Sequence, residues 1–335
     1  MMKTASSFLA VVFLVVIGFT ELYSGERRMP VSTYSIVARD SVTGELGVAV
    51  QSNWFSVGSI VSWAEPGIGA VATQSFVEPA YGPLGLALMR AGKTAPEALK
   101  ALLSIDPNAD VRQVAMVDAQ GNVAVHTGEK CIIYAGHVKG EQFACQANLM
   151  EKSTVPEAMA KAYRNARGSL ADRLMAALEA AQAEGGDIRG KQSAAILVVS
   201  GKKSGTPWNE RVVDIRVDDH PEPLKEIKRL LQVQKVYNYA NHGDELMTEG
   251  KVEEAMKAYK AAMELAPDNT EMIFWPAVTL ASIGRVDEAL PLFKEVFKRN
   301  PKWGELVKRL PHSGLLPDDE QLIKKILAVM PKSTK

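Results

Sequence analysis

The apolar positions of this chain fall first into short β-rich runs and later into helical stripes. Residues 33–39 (TYSIVAR) and 46–52 (LGVAVQS) are separated by Asp40-Ser41-Val42-Thr43-Gly44-Glu45, a polar segment that predicts a hairpin loop. Residues 60–63 and 68–74 around Pro66-Gly67 repeat the device. Two helices follow, 81–90 and 95–103, the second opened by the capping box Thr94-x-x-Glu97 with Pro96 in its first turn. Strands return at 113–117 and 123–126 across Ala119-Gln120-Gly121-Asn122, and then at 132–134 and 142–149 with a turn-rich loop at 136–141. Helices at 156–166 and 170–183, the latter stopped by Gly185-Gly186, precede strands at 193–199 and 212–217. An order of ββ, αα, ββ, αα, ββ does not alternate strand and helix singly, so a doubly wound parallel sheet is disfavoured. The pattern predicts an α+β domain of two antiparallel sheets packed together with helices outside.

From Pro221 onward the pattern is helical throughout. Residues 221–235 read as a helical connector, because the run from Leu224 to Val236 lacks Gly and Pro. A 34-residue frame then places Tyr239, Gly243, Leu246, Ala255, Tyr259, Ala262 and Pro267 one period before Ile273, Ala277, Leu280, Ala289, Phe293, Val296 and Pro301. The turn glycines Gly250 and Gly284 keep the same interval. Small residues sit where helices must approach and a proline sits where each unit ends. Residues 236–303 thus resemble two tetratricopeptide repeats, with 304–335 as a helical tail covering the last apolar face.

The 335 residues are 47% hydrophobic and 23% charged, which excludes disordered, collagen-like and disulfide-scaffold classes. Lys and Arg number 39, as do Asp and Glu, so no global field favours a nucleic acid or an anionic bilayer. Lys3 precedes an unbroken apolar run from Phe8 to Phe19, too short to span a bilayer and suited to a signal peptide. The expectation is a signal peptide over 1–24, with cleavage as late as residue 32, and a periplasmic or secreted protein; an uncleaved anchor and an internal start at Met29 are the alternatives. In that oxidising setting Cys131 and Cys145, on neighbouring strands, are expected to form a disulfide. The alternative is two half-buried thiols behaving as small hydrophobes. With no CxxC and no further ligand set, no zinc is expected, and nothing in the chain calls for a cofactor. Gly67-Ile-Gly69 is followed by a strand and not by a helix, so it is a turn and not a nucleotide fingerprint.

Between residues 33 and 231 a series of segments occurs in order: TYSIVARD at 33–40, GELGVAVQS at 44–52, GIGAVATQ at 67–74, Tyr81-Gly82-Pro83, His126-Thr127-Gly128, GDIRGKQS at 186–193 and RVDDHP at 216–221. Together they resemble domain-of-unknown-function family 1028, of the Ntn-hydrolase-like superfamily. The resemblance implies a four-layer αββα sandwich over 33–220, and it implies no particular reaction. Superfamily chemistry gives Thr33 its interest. In such enzymes the residue opening the first strand is a Thr, Ser or Cys at the mature N-terminus, and its own α-amine, of pKa about 7.7–8.0, acts as base for the side-chain nucleophile. Here thirty-two residues precede Thr33, so only cleavage of the Ser32–Thr33 bond would free it. Otherwise Thr33 is a β-branched residue suited to a first strand.

Ser52 and Asn53 end the second strand, where supporting polar or basic groups are placed in the superfamily; Asn53 stands where family members carry Lys. Asp187 with Arg189 forms either a functional pair or an ion pair that orders its glycine-rich loop. The run Asp218-Asp219-His220 is expected to cap a helix whose first residue is Pro221. His126 and His137 lie near strand ends and read as structural. Two function classes stay open. One is an exported amidohydrolase with Thr33 as nucleophile, acting on a small amide or peptide-like substrate, with oxyanion donors from backbone amides of the glycine-rich loops. The other is a non-catalytic Ntn-like domain that binds a ligand or protein. In both, the repeats dock a protein or peptide partner, and a homo-oligomer stays open.

Overall fold

The protein is described here by a computed structural model, and residues 30–206 and 208–331 are those the structure describes. The apolar run at 8–19 and the cleavage site after Ser24 lie outside them. The chain divides into two compact units, the first ending at Ile227 and the second beginning at Lys228.

In the first unit, strands β1 (Thr33–Arg39) and β2 (Leu46–Ser52) form the expected hairpin and lie at the centre of a six-stranded antiparallel sheet. It is completed by β7 (Gly136–Gly140), β8 (Phe143–Ala147), β9 (Ser193–Val199) and β10 (Arg211–Val217), in the order β10-β9-β2-β1-β8-β7. A four-stranded sheet of β3 (Ser62–Glu65), β4 (Gly69–Ser75), β5 (Arg112–Asp118) and β6 (Val123–Thr127) packs on its inner face. Two helices, α2 (Tyr81–Arg90) and α3 (Ala95–Ile105), cover the four-stranded sheet. Two more, α4 (Val155–Asn165) and α5 (Leu170–Ala183), cover the six-stranded one. The result is a four-layer αββα sandwich. Its inter-sheet core is built from one parity of each strand, including Val37, Val48, Val50, Ala70, Ala72, Ala115, Val117, Ala144, Ala195 and Leu197. The opposite parity of the four-stranded sheet, Val71, Val114 and Met116, faces Leu86, Met89 and Leu99 of the helices. The capping box at Thr94 and Glu97 forms as expected, and a second one, Ser169 with Asp172, opens α5.

Three sequence expectations are corrected. Residues 58–61 form a short helix, α1 (Gly58–Val61), and the strand starts at Ser62. The Ser193 hydroxyl accepts the Val57 amide at 3.0 Å, and Gly58 lies so close to Ala195 that an added Cβ would stand 2.5 Å from its methyl, so the chain turns here instead of pairing. Second, the hairpin near the cysteines pairs 136–140 with 143–147 across Glu141-Gln142, where Gln142 has φ 60°, and Ile132–Tyr134 contributes no strand. As a polar edge strand, Gly136-His137-Val138-Lys139-Gly140 carries no apolar run that sequence reasoning could seize. Third, both cysteines are free and buried. The Cys131 thiol meets the Arg112 carbonyl of the four-stranded sheet at 3.4 Å, while Cys145 shares the outer parity of its strand with Phe143, whose ring packs tilted against Tyr163 of α4. Adjacency in sequence does not bring the two sulfurs together.

The second unit contains the later part of α6 (Pro223–Thr248), then α7 (Val252–Leu265), α8 (Glu271–Ser282), α9 (Val286–Arg299), α10 (Trp303–Val307) and α11 (Glu320–Leu327). The small residues of the repeat pattern act as expected. Ala255, Ala277 and Ala289 are fully buried, and Gly250 and Gly284 turn the chain at φ 75° and 85°. At Gly243 an added Cβ would lie 2.4 Å from the Tyr259 ring, whose hydroxyl donates to Asp244 at 2.6 Å. The tail closes the core, with Val307, Leu310, Leu316 and Ile326 packed beside Phe274, Phe293 and Phe297. No helix among the described residues is long and apolar enough to cross a membrane.

Gly243→Ala is expected to destabilise the second unit by about 1–3 kcal/mol through overpacking against Tyr259, measured as a lowered urea midpoint of its transition. Thiol labelling under denaturing, non-reducing conditions should modify both Cys131 and Cys145; a protected pair would contradict the arrangement found.

Candidate functional site

At one end of the sandwich every inward-facing parity turns polar. On β1 the series runs Val37, Ser35, Thr33; on β2, Val48, Val50, Ser52; on β4, Ala70, Ala72, Gln74; on β5, Val117, Ala115, Gln113; on β8, Ala144, Gln146; on β9, Leu197, Ala195, Ser193. Strand register aligns them, with Thr33 opposite Ser52, Ser52 opposite Ser193, Ser35 opposite Gln146 and Gln74 opposite Gln113. All of these polar residues are buried, so their groups must find hydrogen-bond partners inside the protein. Ser35 donates to Gln74 Oε1 at 2.6 Å and accepts from Gln146 Nε2 at 2.6 Å. Gln74 Nε2 donates to Gln113 Oε1 at 2.7 Å, which also accepts from Asn148 Nδ2 at 2.9 Å. The network ends on the backbone of the candidate nucleophile. The Thr33 carbonyl accepts from Gln74 Nε2 and from the Asn148 amide, each at 3.1 Å.

The residues singled out from sequence, Thr33, Ser52, Asn53, Asp187 and Arg189, come together here although they span 157 positions. Thr33 Oγ1 donates to the Val31 carbonyl at 2.8 Å. The carbonyl of Ser32, which belongs to the Ser32–Thr33 peptide bond, accepts from two side chains: the Ser52 hydroxyl and Arg189 Nη2, the latter at 2.9 Å. Asp187, buried, holds the guanidinium by Oδ1 to Nε at 3.0 Å and Oδ2 to Nη2 at 2.7 Å, a two-point pair that fixes the direction of the fork. The same carboxylate accepts the Arg189 amide at 2.9 Å and the Asn53 amide at 3.1 Å. Asn53 thus enters through its backbone. The loop carrying this pair needs left-handed backbone at Gly185, Gly186 and Gly190, with φ 121°, 70° and 114°, and is pinned by Glu151 N–H to Gly186 and Ile188 N–H to Leu149. Asp187 and Arg189 therefore both order the loop and reach the bond before Thr33. Behind them, burial with the Asp187 charge pushes the Tyr34 phenol well up, keeping it a neutral donor to Gln182 at 3.1 Å.

The donors on the Ser32 carbonyl are a hydroxyl and a guanidinium. The run 218–220 does not converge. Asp218 accepts from Ser56 at 2.8 Å, Asp219 from Gln192 at 3.1 Å, and His220 Nδ1 from the Glu222 amide at 2.9 Å. His220 thereby stands before a helix that begins at Pro223, not at Pro221. His126 meets the Ala109 carbonyl at 2.7 Å and His137 meets Thr127 at 2.9 Å, while burial lowers the His137 imidazole from its usual range. Among the described residues no group of three His, Cys, Asp or Glu could hold a metal ion. The network of Ser35, Gln74, Gln113, Gln146 and Asn148 was missed by motif reasoning; its signal was the shared parity of polar residues at strand ends.

Replacing Asp187 by Ala should free Arg189 and the Asn53 amide together. The expected cost is about 1–3 kcal/mol in the first unit, with faster hydrogen exchange at the Asn53 N–H; unchanged exchange there would exclude the contact.

Comparison with known proteins adds the family. A model described as a family of unknown function (DUF1028) matches residues 33–227, and a tetratricopeptide repeat model matches residues 246–310. Among solved structures, the crystal structure of a DUF1028 protein from Silicibacter pomeroyi is 29% identical, with a TM-score of 0.54, covering 60% of this chain and 85% of that one. A more distant likeness is to Anbu (ancestral beta-subunit) from Yersinia bercovieri, at 14% identity and a TM-score of 0.29, covering 62% of this chain and 97% of that one. No curated protein matches. With its family match over residues 33–227, more than half its length, the chain belongs to the DUF1028 family and continues into tetratricopeptide repeats.

Proposed function

We propose that the protein is an exported N-terminal-nucleophile amidohydrolase that first cleaves its own Ser32–Thr33 bond and then acts on a small amide or peptide-like substrate. The observation that supports this is the grip of Ser52 and Arg189 on the Ser32 carbonyl oxygen, beside the only hydroxyl that can close a five-membered ring on that carbonyl carbon, Thr33 Oγ1. Both donors sit where negative charge develops when the carbonyl is attacked. In the first reaction Thr33 Oγ1 bonds to the Ser32 carbonyl carbon, the C–N bond breaks, and the hydroxyl proton ends on the Thr33 nitrogen. The resulting ester is hydrolysed by water, which leaves a carboxyl on Ser32 and a free amine on Thr33. In later turnovers that amine takes the Thr33 hydroxyl proton and passes it to the leaving amine of the substrate, and water again hydrolyses the ester. Asp187 positions Arg189, and the Gln74–Gln113–Asn148 network holds the Thr33 backbone still. The repeats of the second unit fit a protein or peptide partner, and the apolar run at 8–19 supports export.

Intact mass and N-terminal sequencing of the purified protein test the reading, and Thr33 should be the first residue. Thr33→Ala should abolish processing and turnover, with partial rescue by Thr33→Ser, and Ser52→Ala should slow processing about 10²–10³-fold. Turnover should fall as pH drops through the amine's ordinary value of about 7.7–8.0, because the protonated amine accepts no proton. A mature chain beginning at Gly25, with Thr33→Ala altering no activity or binding, would replace the enzyme with a non-catalytic binding domain.

A further inference from the structure

We infer that the site reads the acyl side of its substrate as an extended peptide, with a small residue at the scissile bond and a β-branched apolar residue before it, and that Val31-Ser32 occupies this subsite before processing. The inference rests on the hydrolase reading above. Val31 is bound as an added strand residue would be. It forms an antiparallel bridge with Ser75, its N–H donating to the Ser75 carbonyl at 2.7 Å and its carbonyl accepting the Ser75 amide at 3.0 Å. Its side chain is only 1% exposed and belongs to the inter-sheet core. Ser32 is fully buried, its carbonyl is held by Ser52 and Arg189, and its hydroxyl oxygen has no hydrogen-bond partner.

The same Thr33 hydroxyl attacks the leader and the substrate, and the same two donors receive the carbonyl oxygen. An external acyl group must then lie where the leader's acyl group lay. Departure of the leader leaves four features: the Ser75 N–H and carbonyl, an apolar socket of valine size, a closed socket of serine size, and the donor pair. The apolar socket disfavours a charged side chain, which would be buried without a partner. The closed socket excludes a large one. Because the Ser32 hydroxyl is unpartnered, alanine at that position should be accepted at least as well as serine.

The test uses residues 33–335 expressed behind an initiator Met whose removal exposes Thr33, so that it does not depend on self-processing of the buried Ser32–Thr33 bond. The probes are coumarin amides of acetyl-Pro-Val-Ala, acetyl-Pro-Val-Ser, acetyl-Pro-Val-Trp and acetyl-Pro-Lys-Ala, together with the same four peptides as free carboxylates. The first two amides should be cleaved with kcat/KM at least tenfold above the last two, and alanine should equal or exceed serine. The carboxylates should bind in the same order by calorimetry. Cleavage of all four at similar rates would overturn the subsite and leave the hydrolase intact. Binding of the carboxylates in the expected order with no amide cleaved would support the subsite and overturn the hydrolase. No binding by any carboxylate would overturn the subsite.

Discussion

Polar groups shut between two β-sheets must find their partners inside the protein, and this constraint shapes the end of the sandwich where Thr33 lies. Six strands present hydroxyl or carboxamide side chains at matching heights, and the bonds among Ser35, Gln74, Gln113, Gln146 and Asn148 are mutually dependent. An apolar end would pack with less specificity and cost less to desolvate. What the polar end supplies is a fixed backbone at Thr33, because its last two hydrogen bonds fall on that residue's carbonyl. Buried oxygens of Ser32, Gln146 and Asn148 stay unpartnered in the same region.

The Asp187–Arg189 pair plays a different part. It is carried by a loop whose glycines permit its course and which is bridged to Met150, two residues beyond Asn148 of the amide network. Network and pair constrain the two sides of one peptide bond, the first through the Thr33 carbonyl beyond it and the second through the Ser32 carbonyl within it.

Much of this was legible in the sequence. The hairpin of β1 and β2, the paired helices and the repeat frame all rest on strong local signals, and the structure follows them nearly residue for residue. The failures share a cause. Residues 58–61, 132–134 and 136–140 are decided by contacts with distant partners, such as the Ser193 hydroxyl on the Val57 amide, or by an edge position that needs no apolar run. The pairing expected of Cys131 and Cys145 failed for the same reason, since nearness along the chain says nothing of which sheet each thiol faces. At the site, family resemblance brought out Thr33, Ser52, Asn53, Asp187 and Arg189. The glutamines were written only as a parity, visible once strand register was known.

The two groups that hold the Ser32 carbonyl lie 20 and 157 residues away along the chain. An unfolded polypeptide has neither in place, and its Ser32–Thr33 linkage is then an ordinary amide among hundreds. Completion of the six-stranded sheet, which brings β9 and its preceding loop against β2, is what singles that linkage out. Tertiary structure alone thus sets this bond apart: it is distinguished only in a chain that has already folded, and a misfolded copy carries no such mark.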